Sequence, residues 1–317
     1  DLYDAAALNE VTAWADVTTY EIEHTDTDAL RTLAASGAVI RPDPSLLALI
    51  NDKMAQKQAL RDAGIPVPQF WEDESESYPY VQKLRHGGYD GRGVVVLRTP
   101  DDDRLDGPVF HEELVDIALE LAVLVARRPS GEAVTYPGAE MEFDARANIC
   151  SRVMMPARID REVEERARAV ALDAVQKLGL VGIVAVELFW TRGGDVLVNE
   201  LAPRPHNSGH VTIEACETSQ FEQHLRAICD LPLGPTALRQ PAVMLNLLGA
   251  PGATGRPDWV STVRLVRPEP FHVHWYNKSE VRPFRKMGHV TVTAGSVEEA
   301  VRAADRAGDL WIKGVEQ

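Results

Sequence analysis

Two apolar segments that meet at a glycine pair constrain this chain more than any other feature. Gly182–Trp190 (GIVAVELFW) and Val196–Leu201 (VLVNEL) flank Thr191-Arg192-Gly193-Gly194-Asp195. Both are rich in β-branched and aromatic residues, and a Gly-Gly turn between such runs predicts a β-hairpin. A two-residue or four-residue loop centred on Gly193-Gly194 has one register, in which position 192 faces 195 and 187 faces 200. Glu187 and Glu200 then stand directly opposite on one face, with Cβ atoms about 5 Å apart.

Like charges opposed across a ladder destabilise it. A divalent cation held between two carboxylates and nucleotide phosphates removes the conflict, and Mg²⁺ is commonly bound this way, with Mn²⁺ as the alternative ion. Asn199 would complete the shell. The competing reading is a solvated hairpin with splayed carboxylates, and the apolar neighbours Val184, Val186, Leu188, Leu197 and Val198 argue against it. The hairpin runs straight into Ala202-Pro203-Arg204-Pro205-His206-Asn207-Ser208-Gly209-His210. A polar loop at the end of a core strand is a common place for substrate contacts. Arg204 suits a carboxylate or phosphate, and His206 suits proton exchange with a reacting group.

Upstream lies Gly87-Gly88-Tyr89-Asp90-Gly91-Arg92-Gly93, with Lys83 just before it. Four glycines in seven residues permit positive φ and close backbone approach. Successive N–H groups in such a loop cradle phosphate oxygens, and Lys83 and Arg92 would add charge-assisted contacts. No Gly-Lys-Ser/Thr follows, and the next element reads as a strand, so this is neither a Walker A loop nor a dinucleotide fingerprint. A fourth constellation, Lys278 with Arg282, Arg285 and Lys286, is dense in cations for this chain. It would hold the phosphate of a nucleotide substrate or form a solvated loop.

Composition narrows the field. The chain has 317 residues, of which 45% are hydrophobic, enough for more than one domain. A net charge of −15 disfavours nucleic acid as a partner. Cys150, Cys216 and Cys229 form no C-x-x-C, which argues against a disulfide framework or structural zinc and for three buried thiols in a cytoplasmic protein. The most apolar stretch, Leu114–Ala126, is interrupted by Asp116 and Glu120, so no membrane span is expected, and no signal peptide is visible.

Helices are expected over Ala5–Ala15, Asp26–Ser36, Ser45–Ala63 (capped by Ser45), Asp160–Leu178, Ser219–Cys229 and Ser296–Ala307. Gly37, Gly64 and Gly179 act as stops. Short strands are expected at Asp16–Glu23 and Ala38–Ile40, as the tail of an α/β domain with a parallel sheet. Further strands are expected at Pro79–Leu84, Gly93–Arg98, Val109–Leu114, Leu119–Arg127, Val134–Tyr136 and Ile149–Val153. After Pro232 and Pro235, strands near Val243–Leu248, Thr262–Val266, Phe271–Tyr276 and Val290–Ala294 form a smaller unit. The division is 1–44, the remainder of an α/β domain; 45–235, the central domain; and 236–317, a β-rich domain.

The segments TYEIEH, NDKMAQK, GGYDGRG, VELFW, NELAPRPHNSGH, TSQFEQHLRAICDLPLG, VMLNLLG and RKMGHVT resemble the N5-carboxyaminoimidazole ribonucleotide synthase family of the ATP-grasp superfamily, over nearly the whole chain. The related formate-using transformylases carry Asp-Thr-Gly where this chain has Asn207-Ser208-Gly209. The resemblance implies an α/β (α+β) ATP-grasp fold with a truncated Rossmann-like N-terminal portion and a small β-rich C-terminal domain. It implies that Lys53 and Lys83 touch the ATP phosphates and that Gly88–Val94, including Tyr89, Asp90, Gly91, Arg92 and Gly93, covers them. Glu112, Glu113, Leu114 and Val115 would form the adenine hinge, with Glu120 on the ribose. Glu187 and Glu200 would hold Mg²⁺ beside Asn199. Tyr89, Asp90, Arg204, His206, Asn207, Lys278 and Arg285 would surround 5-aminoimidazole ribonucleotide and the bicarbonate-derived group. The implied chemistry is bicarbonate attack on ATP, giving carboxyphosphate, then carboxylation of the exocyclic amine, in a homodimer.

The chain also departs from the family pattern. A strand, Gly-rich turn and helix are expected upstream of residue 1, a βαβ portion of roughly 30 residues. Trp71–Tyr80 and Thr99–Pro108 are short. Ala122 replaces a Ser, Phe143 a His, and Lys53 an Arg. The alternatives are another ATP-grasp ligase acting on a different amine, such as the formate-dependent transformylase, or an ATP-binding fragment without turnover.

Overall fold

The computed structural model describes residues 2–75, 77–88, 93–144, 148–260, 271–307 and 310–315. The N-terminal portion is helical: α1 is Ala5–Trp14, α2 Thr27–Ala35, α3 Pro44–Asn51 and α4 Lys53–Asp62. The Asp4, Asp26, Asp43 and Asp52 carboxylates cap the four in turn, each accepting from first-turn N–H groups. The single helix expected over Ser45–Ala63 is therefore two. Asp43, not Ser45, caps the first, with Pro44 at its opening position. Asp52 interrupts it in an extended conformation and caps the second through Met54 and Ala55.

The strand expected at Asp16–Glu23 is also corrected. The segment contributes one parallel bridge, Thr18 to Ile40, and no ladder. Strand-forming residues make a strand only where a partner pairs along their length.

A small antiparallel sheet comprises β1 (Phe70–Trp71), β2 (Tyr80–Leu84), β3 (Val94–Leu97) and β4 (Val109–Glu113), in the order β1-β4-β2-β3. Residues 114–116 then carry the chain into a ten-stranded sheet. Its members are β5 (Ile117–Arg127), β6 (Ala133–Thr135), β7 (Ala139–Asp144), β8 (Ile149–Met155), β9 (Gly182–Thr191), β10 (Val196–Ala202), β11 (Ala242–Gly249), β13 (Phe271–Trp275), β14 (Lys286–Thr293) and β15 (Trp311–Ile312). The main order is β10-β9-β5-β7-β8-β11-β14-β13, so among the described residues β10 is an edge strand. Two short strands, β12 (Arg256–Pro257) and β16 (Gly314–Val315), pair with each other. The strand expected at Thr262–Val266 lies outside the described residues. β7 has no counterpart among the expected strands. Its AEMEFD sequence reads as polar, but Glu140 is buried against Arg158.

The large sheet has two differently used faces. On one, Leu121, Val123 and Val125 of β5 and Val184, Val186 and Leu188 of β9 pack under α5 (Arg161–Lys177). Ala167, Ala171 and Ala174 recur at helical spacing, and their small side chains bring α5 down onto the strands. Each fully buried Leu or Val here contributes about 1.5–3 kcal/mol. The opposite face carries Leu124, Ala126, Ile183 and Ala185 under α6 (Thr212–Ala215) and α7 (Gln220–Ile228). Further along these strands that face changes character, from Ala122 to Glu120 and from Ala185 to Glu187. A third core joins β11 and β14 to α8 (Val297–Ala307). Cys150 and Cys216 are buried as expected, whereas Cys229 is exposed just past the end of α7. Among the described residues no helix is long and apolar enough to cross a membrane.

The loop after β10 is latched to α7 by one side chain. The fully buried Gln220 amide accepts from His206 N at 2.9 Å and donates to His206 O at 2.8 Å, as a neighbouring strand would. Gln220→Leu leaves both backbone groups buried and unpaired, at about 1–3 kcal/mol each. Chemical denaturation is expected to show a destabilisation of about 2–4 kcal/mol. A loss no larger than that of an exposed substitution would remove the latch.

Candidate active site

The acidic end of the second face floors a cleft of about 750 Å³. The residues around it include Glu23 and His24, Lys53 at the start of α4, Gly87 and Gly88, Met141 and Phe143 of β7, the 204–210 loop, and Tyr276, Lys278 and Lys286. Glu187 and Glu200 both line it and are paired across β9 and β10.

The pair arises by a route different from the expected turn register. Val196 faces Trp190, Leu197 faces Phe189 and Val198 faces Leu188. At the turn Thr191 N donates to Asp195 O at 2.9 Å, so position 191, not 192, faces 195. The loop has three residues, with Gly194 at φ +91°. Left uncorrected, that register would set Asn199 against Glu187. A β-bulge between Val198 and Glu200 restores the offset and brings Glu200 opposite Glu187. The bulge thereby turns Glu200, as well as Asn199, away from the α5 core, where Val198 and Leu201 remain. Asn199 Oδ1 accepts from Lys83 Nζ at 2.9 Å, and the Lys53 ammonium is bonded to Glu200.

Electrostatics at this point are asymmetric. Burial, then the charges of Glu200 and Glu120, push the Glu187 carboxyl up to about 8. Burial acts upward on Glu200 too, but the Lys53 ammonium, aided by Lys83, outweighs it and holds that carboxyl well below the usual range. Glu120 is raised to about 7, chiefly by burial. Ala122, the family's Ser position, faces Glu187 across the β5–β9 ladder. Among the described residues no three His, Cys, Asp or Glu side chains converge to hold a metal alone. Two opposed carboxylates with space in front fit Mg²⁺, which characteristically takes one or two carboxylates and completes its shell with phosphate oxygens and water.

Lys83 links both sheets. Its ammonium lies 2.6 Å from Glu112 Oε2, whose other oxygen is 3.0 Å from Lys57 Nζ. The Glu112 side chain is therefore turned inward, leaving its backbone and that of Glu113, Leu114 and Val115 as the hinge segment between the sheets. Of the glycine loop, Gly87 and Gly88 take positive φ and line the cleft. Gly93 closes it: a Cβ there would stand 3.0 Å from Gly88 Cα, and Gly93 O accepts from Leu84 N at 2.9 Å before Val94 opens β3. Tyr89, Asp90, Gly91 and Arg92 lie outside the described residues.

The 204–210 loop also lines the cleft. Arg204 Nε lies 3.1 Å from Glu23 Oε1. His206 Nδ1 lies 2.9 Å from Ser208 Oγ and 3.3 Å from Ser208 N, and Nε2 lies 3.6 Å from Glu187 Oε1. Burial, reinforced by Arg204 and Lys286, lowers His206 to about 3, so its imidazole is neutral. Asn207 lines the cleft, but its amide is taken up by a reciprocal pair with Asn246, at 2.8 Å in each direction. It acts as a strut. Lys278 and Lys286 reach the cleft, whereas the Arg285 guanidinium donates to Glu280 O at 2.8 Å and Arg282 pairs with Glu280. β14 begins at Lys286, and that strand start fixes which cation of the cluster faces inward. Glu23, His24 and Tyr276 are lining residues that site reasoning missed, although TYEIEH had marked the first two, and Lys286 was expected only as one member of the basic cluster.

A family model described as the ATP-grasp domain matches residues 58–221, and one described as the phosphoribosylaminoimidazole carboxylase C-terminal domain matches residues 242–303. The N5-carboxyaminoimidazole ribonucleotide synthase of Synechococcus elongatus is 38% identical, over 95% of this chain and 79% of that protein. The chain belongs to the N5-carboxyaminoimidazole ribonucleotide synthase family. A phosphoribosylaminoimidazole carboxylase of Schizosaccharomyces pombe is 40% identical over 94% of this chain, which spans 57% of that longer protein. The solved N5-carboxyaminoimidazole ribonucleotide synthetase of Thermotoga maritima superposes with a TM-score of 0.90 at 42% identity, over 99% of this chain and 86% of that one. The Aspergillus clavatus synthase, solved with ADP and 5-aminoimidazole ribonucleotide, gives 0.87 at 32% identity, over 98% and 85%. The fold is that of the ATP-grasp ligases, as the resemblance implied.

Nucleotide binding should depend on pH with a definite sign. Glu187 holds its proton at neutral pH in the metal-free site, and the metal must displace it. Burying this carboxyl costs the metal-free fold nothing below its ordinary 4.5 and most above about 8. Affinity for Mg²⁺-ATP is therefore expected to rise with pH, approaching tenfold per unit well below 8, and to level off above it. Calorimetry at about pH 6, 7 and 9 reads this directly, and an affinity that falls with pH would contradict the assignment of Glu187.

Proposed function

We propose that this chain carboxylates 5-aminoimidazole ribonucleotide at its exocyclic amine, using ATP and bicarbonate, with Mg²⁺ and release of ADP and phosphate. The observation that carries the reading is one cleft lined both by opposed carboxylates with Lys53 beside them and by Arg204, His206, Lys278 and Lys286. An anionic nucleotide needs the first and a phosphorylated co-substrate the second.

On this reading Lys53, Lys83 and the 88–94 loop hold the triphosphate. Residues 112–115 take the adenine and Glu120 the ribose. Glu187 and Glu200, with Asn199 alongside, would hold Mg²⁺, which would supply screening of the phosphate charge during attack by bicarbonate. The lysines supply fixed positive charge where negative charge gathers. Carboxyphosphate, or the CO₂ it releases, then meets the amine. The neutral His206 stands ready to exchange a proton there, with Tyr89, Asp90 and Arg204 around the ribonucleotide. Lys278 and Lys286 take its phosphate in place of Arg285. The 1–44, 45–235 and 236–317 division, a homodimer and a cytoplasmic location belong to the same proposal.

Phosphate release from Mg²⁺-ATP and bicarbonate, with and without 5-aminoimidazole ribonucleotide, is the direct test. Strong stimulation by the ribonucleotide is expected. ATP binding without stimulation would point instead to another amine substrate or to a non-catalytic nucleotide-binding protein. Lys278→Ala is expected to raise KM for the ribonucleotide about 10–100-fold with little change for ATP, the cost of one charge-assisted contact. A normal KM in that variant would make the basic cluster a surface feature.

A further inference from the structure

Lys57 is 2% exposed, and no role described above uses it. A lysine so enclosed needs partners, because an isolated ammonium is costly to bury. Its Nζ donates to Val198 O at 3.0 Å and lies 3.0 Å from Glu112 Oε1. Glu112 Oε2 in turn holds Lys83, and Lys83 holds Asn199, the residue after Val198. The contacts close a ring through α4, β4, β2 and β10.

The position of that ring is informative. Val198 immediately precedes the bulge that brings Glu200 opposite Glu187. β10 is the sheet edge here, and its outward backbone groups are met from α4 and the segment after it. Val198 O takes Lys57, Leu201 N donates to Gln56 Oε1 at 3.0 Å, and Val198 N donates to Pro66 O at 2.8 Å. Side chains of α4 thus stand in for a further strand on both sides of the bulge. A methionine would fill the same volume without the desolvation cost of a buried ion pair. The ammonium therefore does something that packing does not: it anchors the bulge carbonyl and shares Glu112, so that Lys83 is not drawn wholly onto that carboxylate.

We propose that Lys57 is a positioning residue for the Mg²⁺-nucleotide: it holds the β10 bulge, and through Glu112 the Lys83 ammonium, in the arrangement that presents Asn199, Glu200 and Lys83 to the ligand. The inference rests on the reading of this cleft as an Mg²⁺-ATP site.

Lys57→Met and Lys57→Gln test it in the full chain, with calorimetric affinity for Mg²⁺-ATP, KM for each substrate and thermal unfolding measured beside wild type. Met loses both contacts, whereas Gln keeps a donor for Val198 O. Folded Lys57→Met is expected to bind Mg²⁺-ATP about 10–100-fold more weakly, with KM for the ribonucleotide within about twofold of wild type. Lys57→Gln is expected to fall between the two. Wild-type nucleotide affinity in either folded variant overturns the proposal, as does equal weakening for both substrates. Loss of folding in both variants overturns it too, leaving Lys57 a group of stability alone. Absence of Mg²⁺-ATP binding by wild type would instead sink the functional reading on which it rests.

Discussion

Two carboxylates facing one another across adjacent strands are the constraint around which this molecule is arranged. Glu187 and Glu200 are held there by the backbone ladder, so they cannot separate without breaking sheet hydrogen bonds. The protein relieves the repulsion unequally. Lys53 is committed to Glu200, while Glu187 faces a neutral imidazole and retains its proton. One carboxylate is thus permanently charged and the other is available to a cation. Such a pair fits a divalent ion that arrives with its own anionic ligands.

Much of this was legible in the sequence because it depends on local pattern. The hairpin, the amphipathic α5, the glycine-rich connection and the loop after β10 all follow from periodicity and turn residues over short windows. What escaped depends on pairing between distant segments. The opposition of Glu187 and Glu200 was expected from a turn register that the structure does not adopt. A three-residue loop shifts the ladder by one, and the bulge at Asn199 shifts it back. A bulge has no local signature here, since NEL reads as plain strand. Asp16–Glu23 failed for the converse reason: it has strand-forming residues but finds one bridge partner. Within the basic cluster, composition could not separate Lys286 from Arg285, because inward orientation is fixed by where β14 begins.

The short-range signal also misread helix ends. Ser45 and Asp43 are both good caps, and what decides between them is that Pro44 is favoured at the first helical position and needs no N–H partner there. Asp52 breaks what looks like continuous helix. The break has a use: it begins α4 with its first N–H at Lys53 bonded to Arg85 O, at the base of the glycine-rich connection. The Asp52 carboxylate also holds the Arg85 guanidinium. Lys53 and Arg85 are thereby fixed to one another.

The same cleft separates charge that responds to pH from charge that does not. His206, His210 and His289 are all held near 3, first by burial and then by neighbouring positive groups, so none carries a proton through the neutral range. The basic side chains lining the cleft are Arg204, Lys278, Lys286 and Lys53. The acidic groups behave oppositely: Glu120 and Glu187 lie at about 7 and about 8, inside the working range. A change of pH thus acts on the opposed carboxylate pair through Glu187. The imidazoles contribute hydrogen-bond geometry rather than charge, and His206 Nδ1 is held by Ser208, 2.9 Å from its Oγ and 3.3 Å from its N.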